Sequence, residues 1–303
     1  MMSLQYYYEQ MRLTETGLGL GRSKSNQYFY KNFIHFCEEN SYTEITRTVI
    51  DKWILTYPYK TNKSKSRHIS LIKNLSKFIV YSGGNSFIPD EEYKFREERY
   101  TPVILSNFQI SEIFRIIDKE NNLTFSVLFR LMYCCGLRPG EVIRLKRSQV
   151  NLITGDLYVI ESKYNKDRHI IANKDIIELC KSYDLHEGER EYFFSINGKN
   201  IPSKYLSAKL HSLIKKYNLE FAKGFRPYDF RHNFATQNIM NWLEKGLDIM
   251  TMLPYLSTYM GHKKFSYTYY YIHLLPERLL QSKNVDWDSL RKIYADEALH
   301  GKN

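Results

Sequence analysis

Helical periodicity carries the chain as far as Tyr81 and then stops, and that break limits the fold to separate cores on either side. Between Thr61 and Tyr81, Ile69, Ile72, Leu75, Phe78 and Ile79 fall on one stripe, the spacing of an amphipathic helix. Ser82-Gly83-Gly84-Asn85-Ser86 is turn chemistry, Pro89 follows, and Asp90 to Arg99 is a run of mixed charge with little to bury. At 303 residues the chain has length for about two domains. The expected division is a helical unit over 1–92, a linker over 93–99 and a second unit over 100–303.

The first unit reads as short helices. Tyr28, Phe29, Phe33 and Phe36 recur at helical spacing within Ser25 to Glu39, and Thr46 to Leu55 is a further candidate. Around the Thr61 to Tyr81 helix stand Lys60, Lys63, Lys65, Arg67, Lys73 and Lys77, with no acid among them. Solvated faces usually mix signs, so this one points to a polyanionic partner. The whole chain agrees: 44 basic against 33 acidic residues leave a net charge of +11, and nucleic acid is the commonest partner for such a surplus.

The second unit mixes helices with a short strand pair. Ser111 to Cys135 is expected as a helix capped by Ser111, burying Ile113, Phe114, Ile117, Leu128, Leu131 and Met132 and stopping at Gly136. Arg138-Pro139-Gly140 makes a turn and Glu141 to Leu145 starts another helix. Asp156 to Ile160 and His169 to Ile171 read as strands, with Lys163 to Asp167 as the turn between them. Helices resume at Lys174 to Tyr183, Pro202 to Tyr217, Pro227 to Trp242 and Leu247 to Met260, the last kinked or split by Pro254. Asp286 to Leu299 carries Trp287, Leu290, Ile293 and Tyr294 on one face. The expected fold class is mainly α with a small antiparallel β-sheet.

Other classes are disfavoured. Cys37, Cys134, Cys135 and Cys180 lack metal-ligand spacing, and the adjacent pair in an apolar run reads as buried free thiol. No acidic set suits a two-ion site, so neither metal nor cofactor is expected. Met1 to Met11 is polar and tyrosine-rich rather than a signal peptide, and no apolar run approaches a membrane span. A cytoplasmic protein without membrane contact is the expectation.

What remains is a chemistry of arginine and phenol. A phosphodiester under attack gathers negative charge, and an enzyme without metal meets it with fixed donors, for which the planar, always charged guanidinium fork is best suited. Arg138 and Lys163 lie upstream, and Tyr228 and Arg231 sit three apart on an expected helix, facing the same way. Gly261-His262 ends the next helix, with the glycine allowing a turn that exposes the histidine. The chain has 26 tyrosines, so a nucleophile needs a positional argument: Tyr267, Tyr269, Tyr270 and Tyr271 compete. Lys163 competes with Lys166 on the hairpin.

These pieces, in this order, resemble the boxes of the tyrosine recombinase (phage integrase) superfamily. Gly136-Leu137-Arg138-Pro139-Gly140-Glu141 is similar to the box with the first catalytic arginine, and Ser162 to Arg168 to the hairpin with the catalytic lysine. Tyr228-Asp229-Phe230-Arg231-His232-Asn233-Phe234-Ala235-Thr236 is similar to the box with the second arginine. Gly261-His262 and Thr268-Tyr269-Tyr270-Tyr271-Ile272-His273 resemble the last. The resemblance spans the chain and implies a two-domain DNA clamp: a helical core-binding (SAM-like) domain followed by an α+β catalytic domain. It leaves no stretch for an additional arm-binding domain.

The resemblance also implies roles. Arg138 and Arg231 would clamp the scissile phosphate, His262 would donate a hydrogen bond to it, and Lys163 would protonate the leaving 5′ oxygen. Tyr271, selected by the Thr-x-x-Tyr-x-His frame, would attack to give a 3′-phosphotyrosine, and Glu141 would buttress the arginine box. The bond energy stays in the covalent link, so strand exchange needs no ATP. Lys166 and Arg168 would touch the DNA backbone. The working form would be a homotetramer on two sites in double-stranded DNA, its C-terminal helix docked on a neighbouring subunit. Two departures stand out. Tyr228 occupies a position normally held by histidine, and a phenol is a poor base but a good donor at neutral pH. Asp248 to Gly261 is about one helical turn (~3.6 residues) long of the pattern. Both resemble transposon-encoded recombinases more than chromosome-dimer resolvases, so integration or transposition of a mobile element is the expected function. A resolvase, a topoisomerase or a non-catalytic DNA-binding regulator on the same fold are the rivals.

Overall fold

The computed structural model describes residues 2–21, 23–96, 100–160, 167–196 and 198–275. The chain separates into two compact units, Met1–Tyr100 and Thr101–Asn303. Unit one packs α1 (Leu4–Gly17), α2 (Lys24–Glu39), α3 (Arg47–Thr56) and α4 (Asn62–Tyr81) around a core that includes Phe29, Tyr30, Phe33, Trp53, Ile72 and Leu75. Each helix begins at a hydroxyl residue: Ser3, Ser23, Thr46 and Thr61 accept the backbone amides of Tyr6, Asn26, Val49 and Ser64. Such caps satisfy amide groups that the helix itself leaves unbonded.

Three features differ from the sequence reading. α1 is a full helix that buries Leu4, Tyr7, Tyr8 and Met11, where the tyrosine-rich start looked merely polar. Tyr28 lies outside the α2 stripe, 66% exposed, and Tyr30 takes the buried position, its hydroxyl donating to the Leu71 carbonyl at 2.9 Å. The charged run after Pro89 is anchored to unit one. Tyr93 is buried and donates to Asp51 at 2.8 Å, Arg47 pairs with Glu92, and Phe95 packs on the same core. Charge concealed these aromatic anchors.

In unit two, α5 (Asn107–Lys119) and α6 (Leu123–Cys134) replace the single helix expected from Ser111. The cap is Ser106, in a reciprocal box with Gln109. The break falls at Asn121, in the left-handed region at φ 48°, and Asn122 then caps α6. α7 (Pro139–Arg144) leads to the antiparallel pair β1 (Asp156–Val159) and β2 (Arg168–Ile171), in register Asp156 to Ile171 and Val159 to Arg168. α8 (Lys174–Glu187), a two-residue strand pair β3 (Ser195–Ile196) and β4 (Lys199–Asn200), and α9 (Ser203–Lys216) follow. α10 (Pro227–Glu244), α11 (Ile249–Met260) and α12 (Ser266–Tyr269) complete the described residues, with a 3-10 turn over Tyr270–Leu274. The fold is mainly helical with a small antiparallel sheet. α6 lies at its centre, against α5, α8 and α10. Pro254 sits inside α11 without splitting it. No helix among the described residues is long and apolar enough to cross a membrane. The expected helix over Asp286 to Leu299 lies outside the described residues.

Candidate active site

Two helices of unit two start with the same local code. Arg138-Pro139-Gly140-Glu141 opens α7 and Arg226-Pro227-Tyr228-Asp229 opens α10. Proline suits the first helical position, where no amide donor is needed. The acid three residues after the arginine folds back: Glu141 Oε2 accepts the Arg138 amide and Asp229 Oδ2 accepts the Arg226 amide, both at 2.8 Å. The first device fixes Arg138 at a helix start. The second sets the phase of α10, and Arg231 emerges one turn further in, 0% exposed.

Both arginines reach the C-terminal end of α11. That helix stops at Gly261, left-handed at φ 63°, with the His262 amide donating back to the Ser257 carbonyl at 3.0 Å. This closure leaves successive carbonyls bare at the negative end of the helix dipole. Three arginines from distant elements fill them. Arg168 Nε donates to Tyr259 O at 3.0 Å, Arg231 Nη2 to Met260 O at 2.6 Å and Arg138 Nη2 to Gly261 O at 2.9 Å. Arg231 Nη1 also donates to Gly136 O at 2.6 Å. A Cβ on Gly136 would stand 2.6 Å from the Phe234 ring at a left-handed φ of 60°, so glycine is required there.

Glu141 is the counter-charge to this socket. Its carboxylate accepts Arg138 Nη1 at 2.6 Å and Arg168 Nη1 and Nη2 at 3.0 and 2.9 Å, with Arg231 Nη1 3.9 Å away. Burial alone would raise its pKa, but the hydrogen bonds and charge of Arg168, joined by the charge of Arg231, hold it down at about 2. The carboxylate is therefore ionised at neutral pH.

His262 and Tyr271 lie beside the arginines. The His262 ring stacks on the Tyr271 ring at 6.1 Å between centroids, and its Nδ1 is 2.7 Å from Thr268 Oγ1. Burial, reinforced by the charges of Arg231 and Arg138, pushes the imidazole down to about 3. It is neutral at physiological pH. Tyr271 is 2% exposed. Burial raises its phenol above the ordinary range while the charge of Arg231 opposes the rise. Of the competing tyrosines, Tyr267 is 54% exposed, although its ring edge meets His262 at 6.3 Å, and Tyr269 packs on His273.

Tyr228 is 39% exposed, and its ring lies 5.0 Å from that of His232, which in turn lies 5.6 Å from Tyr271. His232 has no counterpart among the sequence-derived candidates. It is a neutral imidazole, lowered to about 4 by burial and then by Arg231, and among the described residues its buried Nδ1 has no hydrogen-bond partner.

The fold joins an arginine pair, a neutral imidazole and a phenol at one point, and comparison with known proteins places the chain in a family. The model of the phage integrase family matches residues 104–278, which include every site residue above. The chain belongs to that family. It is 26% identical over 254 residues to a putative integrase/recombinase of Sinorhizobium fredii, covering 79% of this chain and 82% of that one. It is 26% identical over 266 residues to the tyrosine recombinase XerA of Pyrococcus horikoshii, covering 86% and 87%. The fold is similar to that of the Tn1549 transposon integrase in complex with a circular intermediate DNA, with a TM-score of 0.66 at 15% identity over 89% of this chain and 95% of that one. The activity of this phage-integrase-family chain is tyrosine-type, site-specific DNA recombination, and it binds DNA.

Against the sequence-derived set, Arg138, Glu141, Arg231, His262 and Tyr271 are together, while Lys163 and Lys166 lie outside the described residues. Arg168 requires correction. Expected on the DNA backbone, its side chain is 8% exposed and all three of its guanidinium nitrogens are engaged within the protein, by Tyr259 O and Glu141. The signal was its register on β2, opposite Val159, where a charge turned toward the core needs a buried acid. In unit one, a helix turns about 100° per residue, so Lys63, Arg67, Lys73 and Lys77 share the face of α4 opposite Ile72, Leu75 and Ile79. Lys65 departs from them, packing its ammonium over the Tyr59 and Phe95 rings at 5.8 and 5.6 Å. Lys60 is exposed before the helix begins.

Proposed function

We propose that Arg138, Arg231, His262 and Tyr271 form the catalytic centre of this recombinase, and that it serves the integration or transposition of a mobile element. The observation that carries the reading is the socket at the end of α11, where Arg231 and Arg138 meet adjacent carbonyls beside the Tyr271 phenol. A phosphate entering there meets guanidinium donors already fixed, Arg138 by Glu141 and Arg231 by the Gly136 and Met260 carbonyls, and preorganised donors of this kind are worth about 10²–10³ each in rate. The Tyr271 oxygen attacks phosphorus as its phenolic proton passes to water, and the 5′ oxygen leaves with a proton from Lys163. The products are a 3′-phosphotyrosine and a free 5′ hydroxyl. Attack by the 5′ hydroxyl of a partner strand reverses the step.

The remaining parts of the reading follow the family resemblance. The helical unit that ends at Tyr100 and the unit that begins at Thr101 are the core-binding and catalytic domains, together a clamp on duplex DNA. Lys60, Lys63, Arg67, Lys73 and Lys77, with Lys65 and Lys166, meet backbone phosphates. Such contacts position the protein without reading sequence. Four protomers join two DNA sites, with Asp286 to Leu299 exchanged between neighbours. The mobile-element role rests on Tyr228 in the usual histidine position and on the long Asp248 to Gly261 segment.

One experiment tests the centre. A suicide substrate traps the covalent adduct, and peptide mass spectrometry is expected to find the DNA on Tyr271 through a 3′ phosphate. Intact native mass spectrometry of the same trapped complex is expected to count four protomers. An adduct on another tyrosine, or a 5′ linkage, overturns the centre, and a lower count overturns the assembly.

Tyr228 has its own prediction. As a donor to the phosphate or to the nucleophile, it contributes through its hydroxyl alone. Tyr228→Phe is expected to slow cleavage by about ten- to a hundredfold, the worth of one hydrogen bond to a charged group, with adduct polarity unchanged. Unaltered single-turnover cleavage would remove Tyr228 from the site.

A further inference from the structure

Thr268 is fully buried in α12 and stands three residues before Tyr271, on the same side of the chain. Threonine in a helix commonly returns its hydroxyl to the carbonyl one turn back. Here it does not: among the described residues, its Oγ1 has one partner, His262 Nδ1, at 2.7 Å. That pairing has a defined direction. A buried hydroxyl carries one hydrogen and two lone pairs. If Nδ1–H donated, the hydroxyl hydrogen would be left inside the protein without an acceptor, a larger loss than an idle lone pair. The favourable arrangement has Thr268 donating and Nδ1 accepting. A neutral imidazole that accepts at Nδ1 carries its proton on Nε2.

We infer that Thr268 is the positioning residue for His262, donating to Nδ1 so that the ring is held as the Nε2–H tautomer and offers a hydrogen-bond donor to the scissile phosphate. The inference deepens the proposed role of His262 and rests on it. The opposite tautomer would turn a lone pair toward a phosphate oxygen and repel it. The stacked Tyr271 ring limits tilting of the imidazole, while the Thr268 bond limits its rotation in plane. The low pKa of His262 supports the same picture, since a neutral ring has a tautomer to choose.

The test is side-chain 15N NMR of the full-length protein at neutral pH, with His262 assigned by the signals lost in His262→Gln. Wild type is expected to show Nε2 protonated and Nδ1 bare. Thr268→Val, nearly isosteric but without the hydroxyl, is expected to shift His262 toward mixed tautomers and to slow cleavage of a nicked substrate about five- to tenfold, as loss of a single neutral hydrogen bond does. Thr268→Ser is expected to restore both readouts. A wild-type His262 protonated at Nδ1, or a tautomer unmoved by Thr268→Val, overturns the inference. If His262→Ala, which has no donor, cleaves at the wild-type rate, the donor role of His262 falls instead, and the NMR signal still decides whether Thr268 sets the tautomer.

Discussion

Tyr271→Phe is expected to abolish the covalent protein–DNA adduct while duplex binding persists. Cleavage on a nicked substrate should fall by at least ~10⁴-fold, the scale of loss when a covalent catalyst is deprived of its nucleophile. The substitution removes one oxygen and leaves the ring. Phenylalanine keeps the stack on His262 and fills the same buried space, so stability should change by no more than about 1 kcal/mol. DNA affinity rests mainly on phosphate contacts spread over the protein, which this change does not touch. Electrophoretic mobility shift and denaturing-gel adduct assays on one sample separate the effects. Residual adduct in the variant would move the nucleophile to Tyr267 or Tyr270, the neighbouring tyrosines that retain solvent exposure.

Much of this centre was legible because its signals are local. Helices near Glu141 and from Pro227 were expected from local punctuation, although the Arg-Pro-x-acid box that starts both emerged only in the structure, the first copy having been read as a turn. Gly261 ahead of His262 marks a left-handed helix stop that any reader of the chain can expect. The helical stripe of α4 is equally local. What escaped was non-local. Arg168 looked like a solvent cation because the sequence does not say that Glu141 lies under it. Thr268 served in the sequence only as a marker for Tyr271, since its partner is the imidazole six residues earlier across a turn. α1 was missed because tyrosine scores as polar yet buries its ring, and the Ser111 cap was displaced by Ser106, which has Gln109 to complete the box. Lone side chains were misread where their partners came from another element.

Glu141→Ala should be the most destabilising single change at the site. The carboxylate is 3% exposed and serves Arg138 and Arg168 directly, with Arg231 3.9 Å away. Removing it leaves the guanidinia of Arg168 and Arg231, 8% and 0% exposed, without their anion. Breaking a buried pair from one side costs about 3–5 kcal/mol. In a domain of this size that lowers Tm by roughly 10 °C. Cleavage should fall further than stability alone explains, because Arg138 loses the bond that aims it. Glu141→Gln keeps the shape and one acceptor oxygen but not the charge, and should fall between. The pH dependence separates charge from packing. The Glu141 pKa is depressed from the ordinary 4.5 to about 2. Its charge-dependent stabilisation is therefore complete above about pH 4.5 and lost as pH falls toward 2, an amount on the order of 3 kcal/mol. His262 and His232, also depressed, to about 3 and 4, cost both proteins stability as pH falls below 6.5 and cancel in the difference. Urea denaturation of wild type and Glu141→Gln should then give a stability gap that is constant from pH 7 to about 5 and narrows steadily below 4.5. A gap that stays constant to pH 3 would mean that the carboxylate holds the three arginines by shape rather than by charge.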